Sequence, residues 1–133
     1  MNIQKFTQKS IEAVNTCEKL AYDYGNQEIE QEHLLVALMQ QQDGLIPKLI
    51  EKMDIQKEHF LDNAIRKLEA RVKVSGGQVF VGKDLNQVLI HAEDEAKAMG
   101  DEYVSVEHLF LCLIKYPNKA MKEIGRASCR ERV

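Results

Sequence analysis

Apolar residues recur at helical intervals along almost the whole chain. Over residues 7–24, Ile11, Val14, Cys17, Leu20 and Ala21 fall three or four apart, and Gly25 supplies a C-terminal stop. A second helix is predicted over 31–41 on Leu34, Leu35, Leu38 and Met39, broken by Asp43-Gly44. A short third helix follows Pro47. The fourth, over 56–72, has the clearest stripe, built from Phe60, Leu61, Ala64, Ile65, Leu68 and Val72. After a polar Ser75-Gly76-Gly77 stretch, a fifth helix starts with Asp84 as N-cap and buries Leu85, Val88, Leu89, Ala92, Ala96 and Met99. The sixth starts after Ser105 and carries Leu109, Phe110, Leu113 and Ile114, and Pro117 opens a seventh. No segment reads as a strand. The predicted fold class is all-α.

The second half repeats the first at an offset of 75. Gly25 maps to Gly100, Ile29 to Val104, and Glu32-His33-Leu34 to Glu107-His108-Leu109. Ala21 likewise maps to Ala96 and Leu38 to Leu113. Each unit is a long helix, a glycine stop, a short connection and a helix opened by Glu-His-Leu. Neither unit can bury its apolar stripe alone, so the two are expected to pack as one pseudo-twofold domain. Repeat one covers about 1–74 and repeat two about 78–123, with the glycines at 76–77 as their joint.

Residues 124–133 break the pattern. They hold three of the five arginines, whereas the first 123 residues carry only Arg66 and Arg71 beside thirteen lysines. They show no apolar period, and their sequence resembles the translated read-through of a DNA-sequencing adapter, so they are set aside as a non-native tail. Removing them changes the balance from 18 basic and 21 acidic residues to 15 and 20. A net negative charge argues against nucleic acid as the main partner, because a phosphate backbone calls for a basic face. No apolar run approaches the ~18 residues of a membrane span. Cysteines at 17, 112 and 129 form no regular framework, which points to a reducing cytoplasm.

Most candidate chemistry fails on its own terms. Residues 77–84 approach a Walker A loop, but Asp84 stands where the Mg²⁺-binding Ser or Thr belongs and places negative charge against the phosphate. His33, His59, His91 and His108 lack the i, i+4 partner of a helical zinc site. His33 and His108 occupy equivalent first turns, where local hydrogen bonding is the simpler role; His59 and His91 fall on solvated faces. Cys17 and Cys112 map to alanines across the repeat and read as small buried hydrophobes. Glu93-Asp94-Glu95 point in successive helical directions and make no acid–base pair. What remains is binding in the groove between the repeats.

The duplicated pattern Asn26-Gln27-x-Ile29-x-x-Glu32-His33-Leu34 and Asp101-Glu102-x-Val104-x-x-Glu107-His108-Leu109 resembles the N-terminal domain of the Clp unfoldases, AAA+ chaperones that thread proteins through a pore. The opening Phe6-Thr7-Gln8-Lys9-Ser10 and the joint Gly76-Gly77 before Lys83-Asp84-Leu85 are most similar to the ClpB-type disaggregases. The resemblance implies a non-catalytic domain that engages unfolded or aggregated proteins, with ATP and Mg²⁺ used only by the parent, a homohexamer. It carries substrate handling onto Thr7, Leu89 and Glu107. Each also has a structural reading: Thr7 as a helix cap, Leu89 as core, Glu107 as a charge favouring a helix N-terminus. One alternative is an adaptor-docking domain of the ClpA or ClpC kind; another is a degenerate nucleotide site using Lys83. Binding of unfolded casein rather than a folded adaptor separates the first two, and nucleotide binding lost on Lys83→Ala would rescue the third.

The resemblance also implies a last helix, equivalent to 56–72, that this chain lacks. Its absence would expose several hundred Å² of apolar surface. The chain is therefore expected to melt below a domain carrying that helix; thermal melts agreeing within ~2 °C would contradict this.

Overall fold

The computed structural model describes residues 4–74 and 76–130, with side chains through Ala127. Helix α1 (Gln8–Asp23) starts where Thr7 Oγ1 accepts the Ser10 N–H at 3.2 Å, and ends at Gly25, whose φ of +70° only glycine adopts freely. A short strand, β1 (Glu28–Ile29), leads into α2 (Gln31–Met39). Helices α3 (Leu45–Lys52) and α4 (Lys57–Glu69) complete the first repeat. The second repeats the order with β2 (Phe80–Val81), α5 (Lys83–Ala98), α6 (Val106–Lys115) and α7 (Lys119–Arg130). Gly100, at φ +76°, stops α5 as Gly25 stops α1. No helix among the described residues is long and apolar enough to cross a membrane.

Strand pairing, absent from the sequence reading, joins the two halves. β1 pairs in parallel with β2, Ile29 opposite Val81, and Phe6 forms a parallel bridge with Val104. At the offset of 75 these pairings are one another's images. The Gly82 N–H reaches the Ile29 carbonyl at 2.8 Å, as the Thr7 N–H reaches that of Val104 at 2.9 Å. The leading segment of each repeat thus satisfies the connecting segment of the other. Peptide groups at such crossings cannot stay unpaired in a buried joint, which is why two-residue strands form between helices.

Every residue of α2 is buried, including Gln31, Glu32 and His33. Leu34, Leu35 and Leu38 are wholly excluded from solvent, and burying each such side chain is worth ~1.5–3 kcal/mol. Helix α1 packs on one side of α2 and α4 on another, with Phe60, Ala64 and Leu68 turned inward. Val72 is 81% exposed and lies outside the stripe predicted for it, because α4 ends at Glu69. Pro47 is the third residue of α3 and does not precede it; its missing N–H falls among those a first turn leaves free anyway.

Two expectations about helix starts need correction. Asp84 does not cap α5. The N-cap is Gly82, and the Leu85 N–H is met by Glu30 Oε1 at 2.8 Å, a cap supplied from the opposite repeat. Asn118, immediately after Pro117, caps α7 by accepting the Met121 N–H at 2.8 Å. Helix α7 then continues without a break past Glu123, and Ile124 is 1% exposed. The apolar period therefore reaches one residue into the segment set aside as irregular, since Met121 and Ile124 stand at the repeat positions of Ile46 and Leu49.

The cap on α5 explains a glycine. A Cβ on Gly82 would lie 2.6 Å from the Glu30 Cδ and 2.9 Å from the Glu28 Cγ. Gly82→Ala must push the Glu30 carboxyl off the Leu85 N–H, and a loss of about 1–3 kcal/mol is expected from denaturant unfolding. Gly100→Ala meets no neighbouring atom within 4 Å and is strained only by its φ.

Candidate functional site

An apolar cleft opens where the repeats meet on the side of α3, α6 and α7. Ile50, at the end of α3, and Phe60, in the first turn of α4, form one wall, while Phe110 and Leu113 of α6 and Met121 of α7 form the other. Ile55 lines it from the α3–α4 turn, and Lys122, Gly125 and Arg126 border it from α7, the last two within the segment 124–133. The cleft encloses about 430 Å³. Its floor is buried core: Ile50, Phe60, Phe110, Leu113 and Met121 are each at most 7% exposed. Its rim is open to solvent through Met53 and Ile114, 45% and 51% exposed. A methionine at such a rim adapts to different apolar shapes. The sequence reading expected a groove between repeats but did not find these residues; the available signal was Met53 and Ile55, apolar residues in a turn that is otherwise polar.

Thr7, Leu89 and Glu107 do not converge. Thr7 caps α1 and is half-buried. Leu89 is 4% exposed and packs into the core from α5. Glu107 is exposed in the first turn of α6, beside a smaller depression with Leu49, Met99 and Leu111. Met99, predicted as core, is 60% exposed. His91 is not on a solvated face: it is half-buried and stacks on Tyr116, ring centroids 4.1 Å apart.

The paired histidines hold the connections together. His33 Nδ1 accepts the Glu30 N–H at 2.9 Å, which leaves Nε2–H to donate to Asn26 Oδ1 at 2.9 Å. His108 repeats this with Ser105 and Asp101, both at 2.9 Å. Both ring nitrogens are therefore engaged, and among the described residues no group of three His, Cys, Asp or Glu could hold a metal. Burial holds His33 down to about 4, with Arg71 adding to the effect. Burial pushes the Glu30 carboxyl up to about 7, against the Leu85 N–H and with Asp84, Glu28 and Glu32 as neighbours. Lys83 is exposed at the start of α5, where the Leu85 N–H that a phosphate would need is already bonded to a carboxylate. Cys17 and Cys112 are buried, and burial pushes both thiols up, Cys112 to about 11, the opposite of nucleophile activation.

These shifts have opposite signs in stability. Glu30 binds its proton more tightly when folded, so its contribution is present below pH ~4.5 and lost as pH rises through about 7. His33 binds its proton less tightly when folded, so its contribution is lost as pH falls from ~6.5 to about 4. Glu30→Gln keeps an acceptor for the Leu85 N–H without the charge. It should melt higher than the parent at pH 8, by at most roughly 3 kcal/mol, and match it near pH 5. Equal melting temperatures at pH 8 would show that Glu30 is ionised without cost.

The arrangement of two helical repeats has close counterparts. A family model for the Clp repeat N-terminal domain matches residues 5–127. The chaperone protein ClpB of Nitratidesulfovibrio vulgaris is 44% identical over 122 residues, which cover 88% of this chain but 14% of that protein. The chain therefore spans a small part of the length of the curated relatives it matches. Among solved structures, the Hsp104 N-terminal domain of Candida albicans superposes with a TM-score of 0.84 at 21% identity, over 94% of this chain and 82% of that one. A ClpV N-domain in complex with a VipB peptide superposes with a TM-score of 0.76 at 16% identity, over 97% and 82%. The duplicated Glu-His-Leu helices, their exchanged strands and the match over nearly the whole chain make this protein a member of the Clp repeat N-terminal domain family.

Proposed function

We propose that this domain engages unfolded or aggregated polypeptides for a ClpB-type chaperone, without catalysis of its own. The apolar cleft between the repeats carries the reading. It is large enough for about two or three apolar side chains, buried at its floor and open at its rim, and little else on the described surface combines those properties. The ClpV N-domain solved with a peptide supports a peptide as ligand for this fold. Capture by a few side chains is weak, which suits a domain that must release its cargo to a motor and acts by raising the local concentration of clients. ATP and Mg²⁺ belong to the hexameric parent in this reading, and the setting is the cytoplasm.

Thr7 and Leu89 then act as positioning residues, the first by pinning the start of α1 and the second by packing α5, while Glu107 meets the client directly. Leu89→Ser is expected to lower stability along with binding. The division of the chain at Glu123 belongs to the same proposal, with Ile124 an adapter-encoded residue that happens to fall at an apolar register position; genomic sequence beyond codon 123 tests it.

Met53→Asp should weaken binding of unfolded casein about tenfold, measured by fluorescence anisotropy, while the melting temperature holds, since Met53 is a rim residue. Unchanged affinity would remove the cleft from the function. Binding of a folded adaptor but not casein would assign the domain to delivery by adaptors instead.

A further inference from the structure

Gln31, the first residue of α2, is 2% exposed and does not line the cleft. Its amide holds the turn between α6 and α7 on both sides of Pro117. Nε2 donates to the Tyr116 carbonyl at 3.0 Å, and Oε1 accepts the Asn118 N–H at 2.9 Å. The second N–H of Nε2 donates to the Asp84 carbonyl, in the first turn of α5, at 3.1 Å. Pro117 has no N–H of its own, so its two neighbours provide the backbone groups by which α2 can hold this turn. The clamp passes directly into α7. Asn118 Oδ1 accepts the Met121 N–H at 2.8 Å and caps the helix, while its Nδ2 donates to Glu32 Oε1 at 3.2 Å. Pro117 and Met121 both line the cleft. A displacement of the Gln31 amide therefore moves two lining residues at once. The counterpart of Gln31 on α6 is Val106, which has no polar atom, so α6 offers the turn before α3 no equivalent clamp.

We infer that Gln31 is a positioning residue for polypeptide binding: it holds Pro117 and Met121, on the α7 side of the cleft, at the separation from Ile50 and Phe60 that admits apolar side chains. The inference rests on the proposed engagement of unfolded chains at the cleft. It deepens that reading, because it makes the width of the site depend on a contact between the repeats. A glutamine suits this task where an apolar residue does not. Its planar amide matches a peptide group in both donor and acceptor and so fixes position and orientation, whereas apolar packing of equal volume is non-directional.

Gln31→Met in the intact 133-residue chain tests the inference, since methionine keeps the reach of glutamine and makes none of the three bonds. At a temperature where circular dichroism shows parent and variant equally folded, its affinity for unfolded casein should fall about tenfold by fluorescence anisotropy. The ε-methyl resonance of Met121 should shift in the same variant. Leu20→Ala is the stability control, because α1 supplies neither a partner of Gln31 nor a lining residue of the cleft. It should lower the melting temperature and leave the affinity unchanged. An unchanged affinity in Gln31→Met, an unmoved Met121 methyl, or an equal loss of affinity in Leu20→Ala would overturn the inference. Should Gln31→Met not fold, Asn118→Ala removes the next link toward Met121, and an unchanged affinity there would overturn it too. Met53→Asp separates the two readings. Casein binding indifferent to Met53→Asp sinks the cleft and this inference with it, whereas binding that falls with Met53→Asp but not with Gln31→Met sinks the positioning role alone.

Discussion

A helix buried on every side must bury its own amino-terminal end, and that constraint organises the rest of this molecule. The first residues of α2 are Gln31, Glu32 and His33, all but excluded from solvent. Each unpaired buried polar group would cost ~1–3 kcal/mol, more where charged. Gln31 donates to the carbonyls of Asp84 and Tyr116 at 3.1 and 3.0 Å and accepts the Asn118 N–H at 2.9 Å. Glu32 takes Arg71 at 2.8 Å and Asn118 at 3.2 Å. The partners come from the end of α4, the start of α5 and the turn between α6 and α7. Satisfying one helix therefore determines where four others begin or stop.

The same constraint separates what could be read from the sequence from what could not. Helices announce themselves through local spacing, and the duplication shows as paired letters, so the all-α class and the two repeats were legible from Ile11 to Ile114. Contacts across the repeats were not. Glu30 has no feature that distinguishes it from any solvent-facing glutamate, yet it caps a helix 55 residues away. The strands at Ile29 and Val81 are too short for alternation to appear, because their cause is a partner segment and not their own composition. The cleft was legible as a consequence of having two repeats, but its residues were not. Its walls come from helix ends and a turn, where apolar spacing carries least information.

Departures from symmetry are where the two halves acquire different work. Glu30 stands opposite Ser105, Gln31 opposite Val106, and Asn26 opposite Asp101. Repeat one turns its polar residues inward and becomes the fixed centre. Duplication alone would yield two equivalent helix starts; Gln31 gives α2 side-chain bonds to the second repeat that Val106, its counterpart on α6, has no polar atom to make.

The exchange of strands also imposes an order in time. Thr7 and Ser10, at the very start of α1, both bond the Val104 carbonyl, 94 residues beyond Ser10. A ribosome adding ~5–20 residues per second needs on the order of 5–20 seconds to deliver that partner. Until then α1 can coil but cannot be anchored, and Ile29 waits for Val81 in the same way. The nascent first repeat is thus a helical half with open strand edges, and during synthesis this chaperone-family domain passes through a stage that resembles a client.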